Sequence, residues 1–244
     1  MPSRVPRPGE SLFEVSPDVA AQWHPTLNGA ETPSDFTSGS HFNAWWKCPV
    51  ADDHVWQMKI QNRAKQGQGC PFCSGRRPSS TNNLHSWCIA NGELGALLIE
   101  QFSHERNAIR MDQLTVGSKT DIWWECTSCG EVFVAPPNRR TSMKSGCPFC
   151  SGHRVGQNNS LATLYPKLLS EWDLDRNGDL RPDELTPGSN KKVWWRCNKG
   201  PDHVWAATPA SRTGQNGTGC PFCRGLRASM TNSLATLRPD LSAE

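Results

Sequence analysis

The sequence predicts a small metal-stabilised α+β fold, built as three hairpin units in tandem joined by short helices, and three observations carry the prediction. The run CPFC-x-Gly recurs at Cys70, Cys147 and Cys220. A tryptophan pair stands upstream of each copy, at Trp45 and Trp46, Trp123 and Trp124, and Trp194 and Trp195. Each copy also holds four Cys or His residues arranged as two close pairs. Self-similarity at a period near 75 residues marks a repeat architecture in which each copy is one supersecondary unit.

Composition supports small units over one large core. Only 36% of the 244 residues are apolar, and 20 Gly and 19 Pro interrupt them. The N-terminal run MPSRVPRPGE has no apolar stretch that could serve as a secretory signal. The longest greasy run, LGALLIEQF, is too short to span a bilayer. The expectation is an intracellular, cytoplasmic protein without a membrane partner. In a reducing compartment, eleven clustered cysteines bind metal in preference to forming disulfides.

The ligand spacing makes the metal zinc. The first copy offers Cys48, His54, Cys70 and Cys73, and the third offers Cys197, His203, Cys220 and Cys223. The second writes its opening pair as CTSCG and offers Cys126, Cys129, Cys147 and Cys150. Two paired-ligand knuckles separated by roughly fifteen residues suit tetrahedral zinc, so three Zn2+ ions are expected, one per repeat. Ten thiolates and three ions would bring the formal charge from +3 to about −1, because binding deprotonates the ligands. Any anionic partner must therefore be met by local basic clusters. Cys88 is left over and reads as a small buried residue.

The segments between ligand pairs read as hairpins. HVWQMKIQNR, CGEVFVAPPNRR and HVWAATPASR each carry an aromatic residue, Trp56, Phe133 or Trp205, and an arginine seven positions later, Arg63, Arg140 or Arg212. Pro136, Pro137 and Pro209 suit a strand edge or a bend. Of each tryptophan pair, one ring should cover its own hairpin and the other pack on the adjoining helix, because neighbours in a strand face opposite sides. NSLATLYPKLLSEW reads as a helix capped by Asn159 or Ser160, with Pro166 opening a second short turn.

Residues 173–184, DLDRNGDLRPDE, spell a calcium loop, with Asp173, Asp175, Asn177, Gly178 and Glu184 at the coordinating places. Register argues against it. Trp172 aligns with Trp23 and Phe102, and each is followed five residues later by Asn: Asn177, Asn28 and Asn107. The other copies lack the carboxylates, and LTPGSNKK after Glu184 breaks any second helix. A repeat turn built on Asn177 is expected, with no calcium at Asp173–Glu184.

Function is argued from basic residues. Besides Arg63, Arg140 and Arg212, an arginine falls four positions after each final ligand: Arg77, Arg154 and Arg227. Arg suits phosphate through its planar donors, so these six are the expected nucleic-acid contacts. The competing role is stacking on tryptophan or capping a helix inside each unit. The segments ADDHVW and PDHVW resemble the Asp-His strand of ββα-metal nucleases. However, Cys129 stands in the register of His54 and His203, and Cys replaces His as a zinc ligand but not as a base for water. No catalytic residue is assigned.

The pattern WW-x-C, then H-x-W, then Arg, then GCPFC-x-G, followed by an NSL helix and an SEWD or AQWHP segment, resembles the treble-clef, or zinc-ribbon, tandem repeat family. The resemblance implies tandem repeats that sometimes stand beside restriction-endonuclease-like domains, and hence nucleic-acid binding, DNA ahead of RNA. The second copy departs by Cys129 for His and Phe102 for Trp. The expected division is 11–79, 80–156 and 157–230, with 231–244 as the start of a fourth unit or a terminal cap. Pro239 predicts a Trp one place beyond Glu244, so this chain is expected to be the front portion of a longer protein with further repeats, an effector domain or a partner protein.

Overall fold

A computed structural model describes residues 6–240. The chain forms two compact units, Met1–Glu125 with Val134–Ser145, and Cys126–Phe133 with Gly146–Glu244. No helix among the described residues is long and apolar enough to cross a membrane.

Three two-stranded antiparallel hairpins organise the chain: β1 (Asn43–Lys47) with β2 (Val55–Lys59), β3 (Ile122–Glu125) with β4 (Val132–Ala135), and β5 (Val193–Arg196) with β6 (Val204–Ala207). The pleat sends the two tryptophans of each pair to opposite faces. Trp46, Trp124 and Trp195 are wholly buried. Register places Trp46 opposite Trp56 and Trp195 opposite Trp205, so two indoles share the inner face. The indole N–H of each buried ring is satisfied, Trp46 by the Met58 carbonyl at 2.9 Å, Trp124 by Ala135 at 2.8 Å and Trp195 by Ala207 at 3.1 Å. A third aromatic meets each ring edge-on: Trp23 on Trp46, Phe102 on Trp124 and Trp172 on Trp195, at 5.4, 5.8 and 5.5 Å between centroids.

The outward tryptophans are only partly covered. Trp123 and Trp194 are 42% and 37% exposed, and the helix Leu174–Asn177 reaches the Trp194 ring through Arg176, whose guanidinium carbon lies 4.9 Å from the centroid. What anchors this position is its backbone. Asn28, Asn107 and Asn177 each present a side-chain amide that donates to the carbonyl and accepts from the N–H of Trp45, Trp123 and Trp194, all at 2.8–2.9 Å. The asparagine thus imitates a strand neighbour and extends along the strand edge the pairing made by the bridges Trp23 to Trp46, Phe102 to Trp124 and Trp172 to Trp195.

A capped turn opens each repeat. Ser11, Asn83 and Ser160 cap helices beginning at Leu12, Leu84 and Leu161, through a side-chain oxygen that accepts a main-chain N–H. Those three leucines are fully buried. Their own N–H groups reach forward, to the carbonyls of Phe36, Leu114 and Leu185, each at 2.7 Å. The opening helix of each repeat is therefore fastened to a later segment of the same repeat. The first core gathers Leu12, Phe36, Trp46, Trp56 and Ile60, and the third repeats it with Leu161, Leu185, Trp195 and Trp205. In the middle repeat seven extra residues extend the helical region to Leu84–Ala90 and Gly92–Gln101. Gly95 there has no room for a Cβ, because the Cys88 carbonyl lies against it. Cys88 is 1% exposed, as expected of a small core residue.

Pro137 and Pro209 open short helices, Pro137–Thr141 and Pro209–Thr213, at the first helical position, and Pro136 stands as the cap before one of them. They end the strands because Pro at that position loses no helical hydrogen bond and has its φ preset.

Candidate metal centre

The hairpins place each opening ligand pair. Cys48 N–H bonds the His54 carbonyl and Cys197 N–H the His203 carbonyl, both at 3.0 Å, while Cys126 N–H bonds Glu131 at 2.9 Å. Each CPFC closes in a tight turn whose glycine, Gly75, Gly152 or Gly225, sits at φ 70°, 74° or 70°, a region open to Gly without strain.

The structure brings the twelve expected ligands into three tetrads, with the ligand atoms of each within 4.8 Å of one another. Bonds of about 2.3 Å to sulfur and 2.0–2.1 Å to nitrogen in a tetrahedron require sulfurs about 3.8 Å apart and sulfur to nitrogen about 3.6 Å. Cys48 to Cys73 is 3.6 Å, and His54 Nδ1 lies 3.7 Å from Cys70 and 3.5 Å from Cys73. In the all-cysteine set Cys126 to Cys150 is 3.6 Å and Cys129 to Cys147 is 3.7 Å. In the third set Cys197 to Cys223 is 3.7 Å, with His203 Nδ1 at 3.7 and 3.5 Å from Cys220 and Cys223. All three sites suit zinc. Without a cation the sulfurs do not ionise together: Cys129, then burial, then Cys126 and Cys147 push the Cys150 thiol up to about 12, while against burial the main-chain N–H groups of Cys129 and Ser128 bring Cys126 down to about 7. A divalent ion reverses that balance, because thiolate is the form it binds.

Some features of these sites had no signal in the ligand spacing. Phe72 and Phe222 stack on the imidazoles of His54 and His203 at 5.0 and 5.1 Å, nearly parallel. A carboxylate near each opening pair latches the loop after the closing pair: Asp53 accepts Ser80 N–H at 2.6 Å, Glu131 accepts Gln157 N–H at 2.7 Å and Asp202 accepts Met230 N–H at 2.7 Å. The Ser80 amide holds the Asp53 carboxyl below the usual carboxylate range. Asn82, Asn159 and Asn232 then tie that loop to the closing turn through Nδ2 and the carbonyls of Phe72, Phe149 and Phe222. Asn159 therefore serves the knuckle, and Ser160 alone is the cap.

The six arginines separate into two classes. Arg63, Arg140 and Arg212 are buried. Arg63 lies 5.4 and 5.3 Å from the Trp46 and Trp56 ring centroids, Arg140 lies 4.8 Å from Trp124, and Arg212 lies 4.4 and 5.2 Å from Trp195 and Trp205. Gln22, Gln101 and Glu171 each accept one guanidinium N–H at 2.6 Å. These three guanidinium groups pack internally, against indole faces and out of solvent, where a phosphate does not reach them. Arg77, Arg154 and Arg227 are exposed.

The calcium spelling is used up internally. Asp173 caps the helix Leu174–Asn177 by accepting Arg176 N–H at 3.1 Å, and it is buried against Arg196. Asn177 holds Trp194 with both ends of its amide, and Glu184 accepts Arg181 N–H at 3.0 Å. Asp175 points outward, with a side chain 92% exposed and 3.8 Å from Arg196.

The family model described as probable treble clef zinc finger domain matches residues 19–76, 98–153 and 168–226, together well over half of the chain. The chain belongs to this treble clef family. The three treble clef matches each contain one complete tetrad. A search of curated proteins found no match.

Proposed function

We propose that this treble clef array binds nucleic acid, DNA ahead of RNA, without catalysing a reaction on it. It would act in the cytoplasm as the targeting part of a longer nuclease or defence protein. Its modules are taken as 11–79, 80–156 and 157–230, with 231–244 as the start of a fourth unit or a terminal cap.

The observation that carries this reading is the recurrence of one solvent-facing arginine at a fixed place beside each zinc turn. The main-chain N–H groups of Arg77, Arg154 and Arg227 bond the carbonyls of Pro71, Pro148 and Pro221, which fixes each Cα against its knuckle while the guanidinium stays in water. Arg76 and Arg224 add charge nearby. The exposed ring of Trp123 offers a face on which a base can stack. His54 and His203 have both ring nitrogens engaged, which supports a role in holding metal over one as a general base.

A DNA shift assay across a salt series tests the reading. Three phosphate contacts give a slope of log affinity against log salt near about −3. A slope near zero, or no binding at low salt, removes it.

A second reading, a scaffold for protein partners, is favoured by Leu226 and Met230, which flank Arg227 and are 68% and 65% exposed. Association with a protein that ignores salt and survives loss of the three arginines would select it.

A further inference from the structure

The three zinc sites differ just outside their ligands. His54 Nε2 lies 2.9 Å from Ser79 Oγ and 3.2 Å from Thr81 Oγ1. His203 Nε2 lies 3.0 Å from Ser229 Oγ and 2.8 Å from Thr231 Oγ1. The second site, whose ligand is Cys129, carries Gly156 and Asn158 at these two places. A Cβ on Gly156 would run into the Glu131 carboxylate and the Phe149 ring. A histidine ligand therefore travels with Ser-x-Thr, and a cysteine ligand with Gly-x-Asn.

The proton can be followed through the first site. Asn82 gives its Nδ2 to the Phe72 carbonyl, which leaves Oδ1 toward Ser79. Ser79 Oγ donates to that oxygen at 2.8 Å. A hydroxyl has one proton, so with it committed Ser79 accepts from the imidazole. His54 then carries its proton on Nε2 and keeps the Nδ1 lone pair for the sulfur side, where Cys73 and Cys70 stand at 3.5 and 3.7 Å.

We propose that Ser79 with Thr81, and Ser229 with Thr231, are positioning residues of the first and third zinc sites, holding His54 and His203 as Nδ1 ligands by receiving the Nε2 proton. Such outer partners set ring orientation and raise ligand basicity. The second site has no ring to orient and needs none. This rests on the tetrads alone and stands or falls independently of nucleic-acid binding.

The experiment uses the full zinc-loaded chain. Ser79→Ala combined with Thr81→Val should weaken zinc retention at one site of three by roughly 10- to 100-fold, read as metal released to a chromogenic chelator. Ser80→Ala, whose hydroxyl bonds Asp53 at 3.1 Å and not the imidazole, should leave all three sites as they were. Ser79→Thr keeps an acceptor and should retain the parent affinity. Long-range proton–nitrogen correlation on the parent chain should find His54 and His203 protonated at Nε2 and metal-bound through Nδ1. Parent-like retention in the double variant, or metal on Nε2, overturns the proposal. The parent spectrum decides the matter should the double variant not fold.

Discussion

Arg212 lies face-on to Trp195, its guanidinium carbon 4.4 Å from the ring centroid, and donates to Glu171 at 2.6 Å. The arginine side chain is 3% exposed and the carboxylate 32%. Removing the arginine uncovers an indole and strands a half-buried charge. Arg212→Ala should cost about 2–3 kcal/mol, below the cost of breaking a fully buried pair because water reaches Glu171. Denaturant unfolding of the zinc-loaded chain measures it. The same variant should leave the salt slope of DNA binding where it was.

Arg227 offers the opposite pattern. Arg77→Ala, Arg154→Ala and Arg227→Ala should each cost well under 1 kcal/mol in stability, since these side chains are exposed. Each should reduce the magnitude of the salt slope by about 0.9. Three variants that lose stability without flattening the slope would exchange the roles of the two arginine classes.

Metal removal should outweigh any single core substitution. Structural zinc supplies about 10–16 kcal/mol of apparent folding free energy per site, whereas Trp195→Ala removes about 3–5 kcal/mol. Chelation should therefore expose the buried indoles, seen as a red shift of tryptophan emission, and zinc should restore the original spectrum. A chain that keeps its blue-shifted emission without metal would show that the tryptophan cores suffice alone.

Thiol chemistry checks the assignment of the odd cysteine. Burial pushes the Cys88 thiol up to about 11, so at pH 8 on the order of one molecule in a thousand carries a thiolate there. Cys88 should resist alkylation in the zinc-loaded chain and react only after denaturation, when all eleven cysteines become available. Rapid modification of Cys88 in the native chain would contradict its packing.

Millimolar calcium should leave the melting of the third repeat unchanged. Asp173, Asn177 and Glu184 already spend their oxygens on Arg176, Trp194 and Arg181, and a cation would have to break those bonds. A calcium-dependent rise in melting temperature would show that the turn can be rebuilt.

The ligand tetrads were legible because knuckle spacing is a local property: four atoms can meet only if short turns bring each pair together. The Asn177 turn was legible because register across copies outweighed a complete local spelling. The fate of the arginines was not, since Arg63 and Arg77 look alike in sequence, and their difference arises only when the hairpin lays Trp46 and Trp56 side by side. The hydroxyl partners of His54 come from a loop 25 and 27 residues later, too distant for spacing to reveal. A comparison across the three copies would have found them, because Ser-x-Thr is present where the ligand is histidine and missing where Cys129 replaces it. How far the outward tryptophans stay exposed was not legible either, since beside them stand an asparagine amide and, at Trp194, the Arg176 guanidinium.

In each tetrad the final cysteine, Cys73, Cys150 or Cys223, is the most exposed ligand, with Cys129 partly exposed in the second. Metal traffic therefore has a door. An incoming chelator or acceptor thiol can displace that sulfur first while three donors still grip the ion, so exchange proceeds ligand by ligand from one side, without the indole cores having to open.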